Sequence, residues 1–426
     1  MKKILLSIMA LSLFATVYGQ GKGLNSGVGP KNLDTKAKPT EDFYQYACGG
    51  WLKAHPLDAE HSSYGTMNVL AETNQEQLRT IIEKVSSTNN AKGSNGYKVA
   101  TFYKMGMDSV EVQKQGADPI IPYLKEIAAI QDVKGSQAEM FKLHTLGQFP
   151  FFALYAESDP DDANMCMAWI YQGGIGMGER DYYLKEDGRE PELRQAYMKM
   201  MEVQFANAKY DRISGKKPAE LAEMVMEVET QLAKAMYDNE TLRDPFKNSH
   251  KMTVEEACKK TAGIDYATYF ETMRVKDVKQ FNLCQPEFME AVGKMLFDKE
   301  MLESVKAYYA WTVIRNGAAY LSDNFVDANF EFYGKTLSGA EQLRPRWKRV
   351  TDVTDEAMGE VLGQLYVENY FPKKAKERMV TMVNNLKDAF AIRIKNAEWM
   401  DEATKQKALE KLEVIRVKVG YPDKWR

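Results

Sequence analysis

The segment PAELAEMVMEVETQLAKAM, residues 218–236, decides the fold class. Leu221, Val225, Val228, Leu232 and Met236 recur every three or four residues, which stacks them on one face of an α-helix. Pro218 suits a first helical turn, where its missing N–H has no partner to lose. The same period returns on both sides. Upstream, Met67, Leu70, Leu78, Ile81, Ile82 and Val85 form a stripe. Downstream, a pattern that starts at Pro372 runs through Ala375, Met379, Val383, Leu386, Phe390 and Ile394. Another follows Asp401, a good N-cap, with Ala408, Leu412 and Ile415, and Gly420 and Pro422 stop it. Strand signals are few: Phe149–Tyr155 and Cys166–Tyr171 read as a small hairpin. No βαβ alternation and no fixed-period repeat occurs. The expected fold is mainly α, multi-helical, with a minor β-hairpin.

The chain has 426 residues, enough for about three domain-sized units. Apolar residues are 44% and charged residues 27%, which excludes a disordered tail, a collagen-like rod and a multi-span membrane protein. Lys and Arg number 57 against 60 Asp and Glu, a formal charge of −3; without Lys2 and Lys3 the balance is 55 against 60. That mild acidity argues against broad nucleic-acid binding, which needs a basic footprint.

Lys2 and Lys3 precede the apolar run Ile4–Val17, and Val17-Tyr18-Gly19 offers small residues for cleavage. Residues 1–19 therefore read as a secretory signal peptide. The run is shorter than the roughly 20 residues that span a bilayer. The first cysteine is Cys48, too far away to carry a lipid anchor. The expected protein is exported, periplasmic or extracellular, with no stable membrane anchor. Residues 20–41, rich in Gly, Lys, Pro, Asn and Thr, read as a flexible leader, and 42–426 as the helical domain. Cys48, Cys166, Cys258 and Cys284 allow three complete pairings, and nothing in their spacing chooses among these or free thiols.

Four fragments have a catalytic look, and each has a plainer reading. Gly334-Lys335-Thr336 resembles the end of a phosphate loop, but Asn329 stands where a glycine is needed. Gly173, Gly174, Gly176 and Gly178 resemble a dinucleotide loop, but Glu179 replaces its last glycine, so a turn-rich loop is the better reading. Ser338-Gly339 lacks the glycine before the serine that a nucleophile elbow requires. His144 shares an apolar stripe with Phe141 and Leu143 and reads as a core histidine. His55 and His61 are six apart, whereas one helix chelates zinc through i and i+4. Read this way, the chain contains neither a catalytic residue nor a metal ligand, and its substrate-binding residues stay unassigned.

The string DFYQYACGGWL, residues 42–52, resembles the opening of the neprilysin and endothelin-converting-enzyme family of zinc metallopeptidases. Further pieces follow in the family's order. They are Ser62–Gly65, Gln172–Gly174, Arg180–Leu184, Leu242–Pro245, Gln285–Phe288, Leu337–Gly339, Arg346–Arg349, Tyr370–Pro372, Trp399–Asp401 and Gly420–Trp425. The likeness covers residues 42–426 and is greatest to a bacterial oligopeptidase. It implies an enclosing helical N-terminal domain that admits peptides. It also implies a zinc ion that activates water, and a glutamate that takes the proton. In the family, the H-E-x-x-H helix and the remaining zinc ligand follow the Gly-Tyr-Pro-Asp-Lys-Trp string. This chain ends at Arg426, one residue beyond it, so we expect a piece of a longer metalloendopeptidase, inactive and zinc-free by itself. Its partners would be peptide substrates and the missing C-terminal catalytic domain. The alternative is a natural zinc-free peptide-binding or regulatory module, or a purely structural domain. Some relatives carry an Arg where Ser63 stands, holding a substrate's terminal carboxylate; a serine cannot form that bidentate pair. The likeness also implies that Cys48 pairs with a cysteine beyond Arg426.

Overall fold

The computed structural model describes residues 29–425. They divide into two compact units, one up to Leu70 and one from Ala71 on. In the first unit a single 3-10 turn at Pro30–Asn32 precedes helix α1, Phe43–Ala54. Asp42 caps α1 by accepting from the Gln45 amide at 2.8 Å. The described part of the expected leader is packed on this helix. The Asp34 amide donates to the Tyr46 carbonyl at 2.9 Å, and Gln45 Nε2 donates to Asp34 at 3.0 Å. Gly50 is small for a reason: a Cβ there would strike the Lys31 carbonyl. The proposed signal peptide lies outside the described residues.

Helix α2, Thr66–Ser86, contains the boundary between the units. Only the second half of its sequence stripe is core: Ile81 and Ile82 are buried, while Met67 and Leu70 are exposed. Ile81 and Ile82 pack with Val99 and Tyr103 of α3 (Asn95–Met107), and with residues of a much later helix, in a small separate core.

The main core forms around α4 (Val133–Thr145), α5 (Glu190–Asn207), α6 (Pro218–Ala235), α7 (Pro286–Phe297) and α8 (Leu302–Gly317). Helix α6 is at its centre and packs on α5, α7 and α8. The residues that announced it, Leu221, Val225, Val228 and Leu232, are all buried. Helix α8 is buried nearly all round, from Val305 to Ile314, as a central helix should be.

The expected hairpin is present as β1 (Phe152–Asp159) and β2 (Asp162–Gln172), antiparallel, with Tyr155 opposite Trp169. It starts three residues later than the apolar run. Two further strands, β3 (Lys251–Thr253) and β4 (Gln280–Leu283), extend it to a four-stranded sheet of order β1-β2-β4-β3. β4 pairs parallel with β2 through Trp169–Asn282 and Ile170–Leu283. Strands of three and four residues are too short to alternate visibly. The buried Asn282 breaks the apolar pattern further: its side chain accepts from the His250 amide at 2.6 Å and donates to the Asn248 carbonyl at 3.0 Å.

After α8 the chain forms α9 (Asp323–Asn329), which continues directly into a π-helical turn, Phe330–Leu337. Helix α10 (Arg346–Tyr370) follows, kinked at Met358, and its Val350 and Leu362 complete the small core with α2 and α3. The last elements are α11 (Lys373–Lys395) and α12 (Glu402–Val414), packed on each other. Asp401 caps α12 by accepting from the Thr404 amide at 2.7 Å.

Candidate functional site

Most of the distinctive sequence strings serve as scaffold. The glycine-rich segment after β2 is held by three tyrosines. Tyr308 Oη donates to the Gly174 carbonyl at 2.8 Å and accepts from the Phe151 amide at 2.9 Å. Tyr333 Oη donates to the Gly176 carbonyl at 3.1 Å, and the Met177 amide donates to Tyr183 Oη at 2.9 Å. Gly174 has φ +90° and lies against the Phe151 backbone, so a side chain there meets both strain and contact. Phe151 is itself buried at φ 67°, a conformation that costs a bulky residue energy and that the surrounding packing sustains.

Beneath this segment lies Glu229 of α6, fully buried. Its carboxylate accepts from Tyr183 Oη at 2.6 Å and Tyr197 Oη at 3.2 Å, and Tyr197 in turn accepts from Trp311 Nε1 at 2.8 Å. Burial raises the Glu229 pKa, while Arg315 and the tyrosines hold it back. The network ties the segment after β2 to α5, α6 and α8. Gln172 braces the same region: its side chain accepts from the Tyr237 amide at 2.8 Å and donates to the Tyr237 carbonyl at 3.1 Å.

The fragments with a catalytic look do not assemble. His144 is 1% exposed. Nε2 faces the Pro150 carbonyl at 3.0 Å, which only accepts, so Nε2 carries the proton and Nδ1 accepts from Tyr269 Oη at 2.8 Å. Burial pushes its pKa down to about 4, and both nitrogens are engaged, so it fits neither a base nor a metal ligand. Lys335 and Thr336 lie in the π-helical turn, bonded to Glu331, and Ser338 Oγ donates to the Tyr333 carbonyl at 2.7 Å. No loop surrounds a phosphate there. His55 Nδ1 lies 3.0 Å from the Trp51 carbonyl, with its ring stacked on Trp51. His61 Nδ1 lies 2.7 Å from Asp58. His250 Nδ1 lies 3.1 Å from the Cys284 carbonyl. All four cysteines are free thiols in the structure.

Two surfaces in the second unit offer more. The first is apolar. On α11, Met379, Met382, Leu386, Phe390 and Ile392 are exposed, and only Ile394 is buried. Trp399, Val414 and Ile415 add to the exposed apolar side chains of this terminal pair, Trp399 at 81%. The pair is nonetheless well formed. Lys376 Nζ donates to the Tyr421 carbonyl at 2.7 Å, and Lys387 Nζ donates to the Ile415 carbonyl at 3.1 Å. Tyr421 stacks on Trp425. A helix pair with satisfied ends and uncovered apolar side chains is built for contact.

The second surface is a cavity of about 530 Å³ between α3, the first half of the π-helical turn and the start of α10. Its wall is mostly hydrocarbon and aromatic, with Arg346, Arg349 and Asp352 on one side. The sequence carried no sign of it, because its lining comes from segments more than 200 residues apart.

Comparisons with known proteins agree with this architecture. The model of Peptidase family M13 matches residues 39–422. Endothelin-converting enzyme 1 of Mus musculus is 25% identical over 407 residues, covering 92% of this chain and 51% of that protein. Membrane metallo-endopeptidase-like 1 of Homo sapiens is 26% identical over 419 residues, covering 92% and 53%. Among solved structures, zinc metalloprotease Zmp1 of Mycobacterium tuberculosis in complex with an inhibitor superposes with a TM-score of 0.85 at 29% identity, over 94% of this chain and 60% of that one. PepO of Lactobacillus rhamnosis, at 19% identity and a TM-score of 0.79, shares the fold. The chain thus spans about half the length of the relatives it matches. Among the described residues no helix is long and apolar enough to cross a membrane.

Proposed function

Because the chain belongs to Peptidase family M13, we propose that it is the substrate-enclosing N-terminal part of an exported zinc-dependent metalloendopeptidase that cleaves peptides. The observation that carries this reading is the uncovered apolar side of α11, with Trp399, Val414 and Ile415 exposed beside it. A catalytic part that follows Arg426 would cover it, and the zinc would be held there. His144 is not available to the metal, because its proton and its lone pair are both committed. The main core contributes the enclosure: a rigid helical wall, stabilised by the Glu229 network, that limits which peptides enter. Residues 1–19 would direct export and be removed.

The test is to read the coding DNA beyond Arg426 for an in-frame H-E-x-x-H and to assay the complete product on peptides with and without a chelator. The expected result is chelator-sensitive cleavage by the complete product, and neither cleavage nor stoichiometric zinc in the 426-residue chain. A stop codon directly after Arg426, or one tightly held zinc on this chain, overturns the reading. A stop codon together with peptide binding would establish a zinc-free capture module instead.

A further inference from the structure

We propose that the cavity between α3, the π-helical turn and α10 is a binding site for an amphiphilic monocarboxylate, with the carboxylate on Arg349 and the hydrocarbon body among Phe102, Met105, Phe330 and Val350. The inference does not depend on the peptidase reading. It starts from the volume, about 530 Å³, which is in the range of small-molecule sites. The lining matches such sites as well: mostly apolar and aromatic, with a few polar groups on one side.

The charges on that side decide the ligand's head. Asp352 is already neutralised by Arg344 at 2.7 Å. Arg346 donates through Nε to the Gly106 carbonyl at 2.9 Å and lies 3.7 Å from Asp323. Arg349 is different. Its Nε donates to the Arg344 carbonyl at 3.1 Å, but among the described residues no carboxylate lies within ion-pair distance of its guanidinium. It is half-buried; burial and the neighbouring Arg346 disfavour its charge, and Asp323 and Asp327 offset this only in part, from beyond contact. A partly desolvated guanidinium with two terminal nitrogens unused is suited to a planar carboxylate, which it grips with paired hydrogen bonds. The helix adds to this. The first turn of α10 holds Arg346, Lys348 and Arg349, contains no acid, and has Pro345 at its cap with no side-chain cap bond. Lys348 pairs with Glu72 at 3.3 Å and Arg346 lies near Asp323, so Arg349 is the first-turn cation that the positive end of the helix dipole leaves for a further anion. A guanidinium with no carboxylate in ion-pair contact accommodates one negative charge; Asp323 and Asp327, which act on it from further away, would repel a second.

The test uses decanoate and its neutral counterpart decanol, titrated calorimetrically into the purified protein. The expected result is one decanoate per chain, bound at least tenfold more tightly than decanol. Arg349→Met should reduce decanoate to the decanol level without changing decanol, and Arg349→Lys should restore part of the preference. Val353→Phe, which fills the cavity from α10, should abolish both. Phe390→Gln, on the separate apolar side of α11, should leave the stoichiometric site intact. Should Val353→Phe fail to fold, the Arg349 pair still decides the matter. Equal affinity for decanoate and decanol overturns the proposal, and so does an unchanged preference in Arg349→Met. Binding that is lost with Phe390→Gln but kept with Val353→Phe overturns it too.

Discussion

Replacing Leu386 and Phe390 together by Gln tests whether the apolar side of α11 awaits a partner. The two residues are 61% and 55% exposed. Complete burial of a Leu or Phe side chain stabilises by about 1.5–3 kcal/mol. Docking would therefore gain about 2–3 kcal/mol from the exposed share of the pair, which is roughly 30- to 150-fold in affinity. The share already buried is worth about 1–2.5 kcal/mol, an upper figure because unfolded chains are themselves compact. Gln is a good helix former, so α11 itself should persist. Two measurements follow. In this chain alone, urea unfolding should shift by no more than that smaller amount, while binding of a hydrophobic dye and self-association should fall. In a complementation assay with the catalytic part that the proposed function places after Arg426, affinity should drop by the larger factor. A stability loss of about 4–6 kcal/mol in the chain alone would be that of a core pair and would refute the reasoning. Dye binding that stays at the original level, with unchanged complementation, would refute it equally.

His144 supplies a pH dependence. Its folded pKa of about 4 lies below its ordinary value of 6.5, so the unfolded chain binds more protons between these values and stability rises with pH in that window. The contribution is fully present above pH 6.5 and is lost as pH falls towards 4, up to about 3 kcal/mol. Urea midpoints measured against pH should show a slope that is shallower in His144→Gln. Gly174→Ala should destabilise by about 2–4 kcal/mol, from positive φ and from overlap with the Phe151 backbone at 2.7 Å, read as a lower thermal midpoint. On the proposed function, the complete protein should cleave peptides with an amidated C-terminus at rates similar to free acids, because Ser63 cannot form the bidentate carboxylate pair. A collapse in rate on amidation would place another cation at that end of the substrate.

Elements whose information is local are legible along the chain. A 3.6-residue stripe and its caps specify α6 to within a residue and the start of α12 behind Asp401, because burial of one face and satisfaction of helix ends depend on neighbours along the chain; α12 nonetheless ends at Val414, short of the expected stop at Gly420. The hairpin β1–β2 is legible for the same reason. His144 also reads correctly as core, since its neighbours on the stripe are apolar. The family was legible because its strings encode scaffold contacts such as Tyr183 on Glu229 and Gln172 on Tyr237. Where distant segments meet is settled by packing alone. β4 became a strand by pairing with β2 over a hundred residues away, not by its own pattern. Similar stripes met opposite fates: Leu232 is buried at the centre of the fold, while Leu386 faces out. Periodicity states that a face is apolar, not what covers it. The cavity at Arg349 belongs wholly to this second class. Its walls are ordinary helix residues, and an unpaired cation beside an apolar space exists only once α3, the π-helical turn and α10 have been brought together.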